Sequence, residues 1–192
     1  MNEILWAVTR ATALVSVVLL TTTLVLGMLT SSRAASSVAR RTVVTAVHRT
    51  LSLLMLAFIS VHVISAVVET YVDIGWLSAL VPFTSAYDRA WIGLGTLAFD
   101  LLLAVIITSL LRQRIPQRVW RLVHLASYAL WPIALLHGVG SVTTDSTLTY
   151  AIFAVCALAG LIALGVRLAK LPADTRRRRT VTATGWRVGS PS

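Results

Sequence analysis

Charged residues are scarce in this chain, and cysteine is almost absent. Asp, Glu, Lys and Arg make up only 12% of its 192 residues, while 57% are hydrophobic. Soluble globular domains carry about 25% charged residues, so the composition excludes an ordinary soluble protein. The single cysteine, Cys156, lies within an apolar run and can form no intramolecular disulfide. A membrane is therefore the environment that this composition indicates.

Long apolar runs with only one charged residue each support the same interpretation. A run of about 20 residues spans the ~30 Å hydrocarbon core as a helix that rises about 1.5 Å per residue. Five such runs predict an all-α integral membrane bundle of about five transmembrane helices, at about 4–29, 43–68, 90–111, 119–139 and 148–168. We interpret residues 1–171 as one membrane domain and residues 172–192 as a basic tail without regular structure.

The positive charge indicates an orientation in the membrane rather than a nucleic-acid partner. Of the 17 Lys and Arg residues, 15 fall in the two loops and the tail that share one side, and only Arg10 and Arg89 fall on the other. Lys and Arg accumulate on the cytoplasmic side of membrane proteins. We therefore expect a multi-pass plasma-membrane protein with its N-terminus outside and its C-terminus cytoplasmic. The run 176–179, four arginines, is expected to meet anionic lipid.

All four histidines lie in two of the apolar runs. His48 and His62 are in the second run, and His124 and His137 are in the fourth. Their separations along the two helices are about 21 Å and about 20 Å, so two parallel helices can present the histidines at matching depths. This predicts an inner pair, His48 with His124, and an outer pair, His62 with His137.

The angular positions of the histidines match less well than their depths. On an ideal helix His62 is about 40° from His48, whereas His137 is about 140° from His124. Pro132 lies between His124 and His137 and has no backbone N–H to donate to the Tyr128 carbonyl. We therefore expect the fourth helix to be bent or irregular between His124 and His137.

Two histidine pairs at matching depths are typical of axial ligands to haem iron. Coordination also satisfies imidazoles that would otherwise be polar groups in hydrocarbon. A zinc site is disfavoured because each pair lacks further ligands. Three alternatives stay open: histidines in plain helix–helix hydrogen bonds, a proton channel or transporter that uses histidine and Asp100, and a single haem with one structural pair.

With the WRLVH sequence that begins the fourth run, these pairs make residues 10–171 resemble the ferric reductase-like transmembrane domain. That superfamily includes ferric reductases, NADPH oxidases and the haem-bearing membrane subunit of the bacterial methionine sulfoxide reductase system. The resemblance implies two b haems, held by His48, His62, His124 and His137, that pass electrons across the membrane.

Two features depart from the family's pattern. The family core usually has six helices where this chain has five, and the chain has no Gly-rich phosphate loop, so we expect no FAD or NAD(P) site in it. The resemblance therefore implies redox partners: a quinol or cytoplasmic flavoprotein as electron donor, and an extracytoplasmic protein as acceptor. No flavin or nicotinamide chemistry is expected from the chain itself.

Arginines beside the histidines are candidates for binding the haem propionates, because guanidinium pairs with carboxylates. Arg49 and Arg121 are the candidates for the inner haem, and Arg10 and Arg89 for the outer one. Anchoring at the membrane interface explains each of them equally well. Asp100 lies in the middle of the third run, where it could pair with Arg10, accept a hydrogen bond from a ligand imidazole, relay a proton or bond to a neighbouring hydroxyl.

Overall fold

A computed structural model of the chain describes residues 3–31, 38–69, 72, 74–142 and 147–185. All regular elements in these residues are helical. The helices are α1 (Glu3–Ser31), α2 (Val38–Val68), α3 (Arg89–Leu110), α4 (Gln117–Leu125), α5 (Ser127–Gly140) and α6 (Thr147–Gly185), with a short 3-10 turn at Trp76–Ala79.

Five segments of these helices are long and apolar enough to cross a membrane, which confirms the predicted all-α membrane bundle. They are Glu3–Met28, Thr42–Val68, Arg89–Leu110, Gln117–Gly140 and Thr147–Ala169. The fourth combines α4 and α5. Each boundary differs from its sequence-based prediction by at most two residues, because apolar stretches are bounded by charged or helix-breaking residues on both sides.

Helix α1 lies at the centre of the bundle and packs against α2, α5 and α6. Its buried side chains Val17, Leu20, Leu24 and Met28 recur every three or four residues, which places them on one helical face. That face contacts Leu135 and other buried residues of the later helices. By contrast α2 has many exposed apolar side chains, as expected for a helix that faces lipid.

Several hydroxyl side chains within the spans donate hydrogen bonds to their own helices, whereas the buried hydroxyls of Ser16 and Thr23 have no partner among the described residues. Thr12, Thr21, Thr22 and Ser109 each donate a hydrogen bond to the carbonyl four residues earlier, at 2.6 to 2.9 Å. Such local bonds allow Ser and Thr to occupy membrane helices without an unpaired donor in hydrocarbon.

The segment between α2 and α3 forms a cap at the predicted outer interface. Its 3-10 turn exposes Trp76 and Leu77, which are 68% and 65% accessible. Thr96 of α3 donates a hydrogen bond to the Ser78 carbonyl and so ties this turn to the bundle. Among the described residues 74–88, the connection between α2 and α3 is therefore a loop with one short turn.

The helix of the fourth span is interrupted at Ala126. This irregularity lies between His124 and His137, as predicted, but it does not lie at Pro132. Ala126 donates to the Val123 carbonyl at 2.9 Å, an i to i−3 bond that ends α4. Pro132 lies six residues later inside α5. A 3-10 turn winds about 20° more per residue than an α-helix, which turns His137 in the direction that reduces its angular offset from His124.

The last helix corrects one expectation about the tail. Residues 172–185 are helical, whereas the sequence predicted no regular structure there. A helix that is already nucleated in the membrane adds further turns at little cost, since nucleation is the unfavourable step. Residues 186–192 lie outside the described residues, and the division into a 1–171 domain and a tail stays a prediction.

Candidate functional site

The two histidine-bearing segments pack on other helices more than on each other. Helix α2 packs mainly on α1, and α5 packs mainly on α3. Among the described residues α2 makes no extensive backbone contact with α4 or α5. The space between these segments is bridged by imidazole rings, and the structure brings the histidines together in the two predicted pairs.

The two pairs have nearly the same geometry. The ring centroids of His48 and His124 are 6.5 Å apart with planes inclined at 62°, and those of His62 and His137 are 6.3 Å apart at 70°. A metal-bound imidazole nitrogen lies about 2.0 Å from the metal and about 1.1 Å from its ring centre, so two imidazoles on opposite sides of one ion have centroids about 6.2 Å apart. Both spacings fit one iron between two rings.

Three of the four rings are oriented by backbone carbonyls of neighbouring helices. His48, His62 and His137 lie with Nδ1 at 3.0, 2.9 and 2.7 Å from the carbonyl oxygens of Thr23, Thr9 and Trp91. A carbonyl only accepts, so Nδ1 carries the proton and Nε2 keeps a free lone pair. An imidazole held in this way is prepared for metal coordination through Nε2.

The outer pair opens onto a cavity of about 500 Å³. Its lining comes from α1, α2, α3, α5, α6 and the segment between α2 and α3, and includes His62, His137 and Arg10. The Arg10 guanidinium carbon lies 4.5 Å from the centre of the Trp6 ring, which also lines the cavity. Cofactor pockets typically occupy about 300–1,000 Å³, and this one is mostly apolar, with Arg10, Glu69 and Asp88 as the charged residues of its lining. Its volume and apolar lining suit a largely apolar cofactor.

Two glycines leave room for the histidine rings. A Cβ on Gly95 would lie 2.6 Å from Cε1 of His137, within 3 Å of three ring atoms. A Cβ on Gly27 would lie 3.3 Å from Cε1 of His48. The close approach of α3 to His137 therefore requires glycine, whereas the corresponding approach of α1 to His48 is looser.

His124 has different surroundings from the other three histidines. Its Nδ1 is buried and has no hydrogen-bond partner among the residues that the structure describes. Instead its ring stacks on Trp120, with centroids 5.0 Å apart and planes inclined at 22°. The guanidinium carbon of Arg112 lies 4.5 Å from the centre of the Trp120 ring. At the inner pair the Arg112 guanidinium thus contacts the Trp120 indole, and the indole in turn stacks on the His124 imidazole.

The remaining predicted residues lie away from the cavity. Arg49 and Arg121 are exposed, and neither lines the cavity, so their predicted roles at the inner haem stay untested. Asp100 is half-buried on α3 and is also absent from the lining. Within the described residues no three His, Cys, Asp or Glu side chains lie together as a possible metal site.

Sequence reasoning missed Trp120, Arg112 and the two glycines. Trp120 precedes His124 by four residues, a spacing that places both side chains on one helical face and could have identified it. A glycine inside an apolar helix also signals close approach of another group. The three carbonyl acceptors had no such signal, because every residue has a carbonyl.

Comparison with known proteins identifies the family. The model of the family described as "Ferric reductase like transmembrane component" matches residues 12–135, which is 124 of 192 residues and includes His48, His62 and His124. No curated protein and no solved structure matched the chain. Domains of this family generally bind haem, and the family indicates a multi-pass membrane redox subunit that works with partners. The chain belongs to the ferric reductase-like transmembrane component family.

Proposed function

We propose that the protein is a cytochrome b-like electron carrier with two bis-histidine haems, held by His48 with His124 and by His62 with His137. The observation that carries the proposal is the ring spacing. Both pairs, on helices that do not pack closely together, have centroid distances of 6.5 and 6.3 Å, close to the value for two imidazoles on one iron.

The chain's own residues bind, orient and enclose the cofactors. The carbonyls of Thr9, Thr23 and Trp91 fix three imidazoles with Nε2 directed away from the carbonyl. Arg10 provides positive charge where the cavity would receive propionate carboxylates. Haem b would supply one-electron redox chemistry at each site.

Electrons are proposed to cross the plasma membrane from a donor at the inner pair to an acceptor at the outer pair. The donor is a quinol or a cytoplasmic flavoprotein, and the acceptor is an extracytoplasmic redox protein. Support comes from the depth separation of about 20 Å between the pairs and from the asymmetry of Lys and Arg, which assigns the inner side to the cytoplasm. In this role the chain is the membrane subunit of an oxidoreductase system.

A proton channel built on histidine and Asp100 is the weaker alternative. Such a channel needs its titrating groups along one path. Asp100 does not line the cavity that contains His62 and His137, and three imidazoles are engaged through Nδ1 by carbonyls. No observation places the carboxyl and the imidazoles in a common pathway.

A reduced-minus-oxidised difference spectrum of the purified protein tests the proposal. We expect b-type absorption bands and two haems per chain, with ferric haem in the low-spin state that two nitrogen ligands impose. Protein purified from haem-replete cells without a b-type signal would refute electron transfer through haem. One haem per chain would leave one histidine pair structural.

A further inference from the structure

We propose that Arg112 and Trp120 are positioning residues that make His124 the weakest electron donor of the four histidines. A haem held by the inner pair thereby acquires a higher reduction potential than a haem held by the outer pair. This inference rests on the proposed function, since it concerns how the chain distinguishes its two haem sites.

The first supporting observation is an asymmetry in hydrogen bonding. Both outer imidazoles donate from Nδ1 to a carbonyl, at 2.9 and 2.7 Å. In the inner pair only His48 does so, at 3.0 Å, while Nδ1 of His124 is buried without a partner. Donation from Nδ1 raises the basicity of a ligating imidazole, so His124 lacks a contribution that the other three histidines have.

The second observation is the stack that takes the place of that hydrogen bond. Trp120 stacks on the His124 ring with the planes inclined at 22°, and its Nε1 is buried without a partner among the described residues. The indole instead packs against the imidazole on one side and contacts the Arg112 guanidinium at 4.5 Å.

Both features act in the same direction on the iron. A less basic ligand stabilises the ferric state less, and a nearby positive charge favours the reduced state, which carries one positive charge fewer. Arg112 is exposed, so solvent screens part of its effect. The combined result is a higher potential at the inner haem, where His48 is the only ligand with a carbonyl partner.

Redox titration of the purified, haem-loaded protein tests this inference, with absorbance followed at each potential. The component that disappears in His124→Ala is the inner haem. We expect it to have the higher potential in the native protein. Arg112→Gln and Trp120→Leu should lower its equilibrium constant for reduction by roughly tenfold, about 59 mV for one electron. The outer component should not shift.

Two further variants test whether the shift in potential depends on the aromatic ring at 120 and on the charge at 112, or whether any nearby change produces it. Trp120→Phe keeps an aromatic ring against His124 and should retain most of the native potential. Arg114→Gln removes an equally exposed charge two residues from Arg112 and should leave both potentials unchanged. If Trp120→Leu loses the inner haem, Arg112→Gln decides the question, because it leaves both rings in place.

Three outcomes would overturn the inference while leaving the proposed function intact. They are an inner potential below the outer one, an inner potential unaffected by Arg112→Gln, and an equal shift in Arg114→Gln. Native protein without any haem would overturn the proposed function as well, so the two failures are distinguishable.

Discussion

The outer and inner histidine pairs have the same spacing but are held in different ways. At the outer pair both imidazoles bond to carbonyls, the rings open onto a cavity of about 500 Å³, and α3 approaches His137 through Gly95. At the inner pair one imidazole bonds to a carbonyl and the other stacks on Trp120.

The difference shows that ligand spacing and ligand environment are set separately. The spacing of the rings follows from the packing of the helices that carry them: α2 packs on α1, and both α4 and α5 pack on α3. The environment of each imidazole follows from the neighbouring group that bonds to its Nδ1 or packs on its ring face. Four histidines can therefore give the two proposed haem sites different properties, because the surroundings of the rings differ while the type of side chain stays the same.

The glycines provide the largest expected contrast between the two sites. In Gly95→Ala the new Cβ would meet three ring atoms of His137 within 3 Å, and overpacking of this kind costs about 1–3 kcal/mol. We expect occupancy of the outer haem to fall roughly tenfold. In Gly27→Ala the nearest ring atom is 3.3 Å away, so the inner haem should be nearly unaffected.

Haem content per chain, with each site assigned by its spectrum, measures both substitutions. Equal losses in the two variants, or a larger loss in Gly27→Ala, would contradict the proposed difference in how closely the two ligands are packed.

Arg10 provides a second, smaller contrast. A charge-assisted hydrogen bond to a carboxylate contributes about 1.5–3 kcal/mol. Arg10→Gln should therefore speed the loss of the outer haem to an apoprotein acceptor by roughly tenfold. Arg49→Gln and Arg121→Gln remove exposed charges outside the cavity, and we expect less than about twofold change at the inner haem, as for exposed ion pairs.

Haem-transfer rates for these three variants thus test the propionate assignments made from the sequence. A large effect of Arg49→Gln or Arg121→Gln with no effect of Arg10→Gln would reverse the assignment that the cavity favours.

The core between the two sites gives the smallest expected effect. Thr21 donates to the Val17 carbonyl and accepts from Nε1 of buried Trp131 at 3.1 Å. Thr21→Val leaves the indole N–H unpaired, which costs about 1–3 kcal/mol. Thr22 bonds only to the Val18 carbonyl on the exposed side, so Thr22→Val is the matched control.

Unfolding of both variants in mixed detergent measures this difference. The Thr21 variant should be the less stable, with both haem sites weakened together because the core supports both. Equal stability of the two variants would show that the bond between α1 and α5 contributes little.

Much of the bundle and the pairing of its histidines could be predicted from the sequence, because both depend on patterns along the chain. Long apolar runs predicted the five spans, and the separations of 14 and 13 residues between the histidines of each run predicted their matching depths. The proline was a misleading guide to the break in the fourth span, which lies at Ala126, since i to i−3 bonding depends on packing that the sequence does not display.

The environment of each imidazole could be predicted only in part. The contact of Trp120 with His124 could have been predicted from their spacing of four residues. The hydrogen bond to the Trp91 carbonyl and the cavity wall could not, because they arise from contacts between segments that are distant in the sequence. The helical part of the tail was also missed, because a run of like charges is a poor signal for a helix.

The pairing of the histidines is tested most directly by haem counts in single and double His→Ala variants. The account predicts one haem per chain in His48→Ala, in His124→Ala and in the double variant His48→Ala/His124→Ala. It predicts none in His48→Ala/His62→Ala, with Leu136→Ala as a lipid-facing control that retains two. One haem remaining in His48→Ala/His62→Ala, or none in His48→Ala/His124→Ala, would contradict the two pairs on which the proposed function depends.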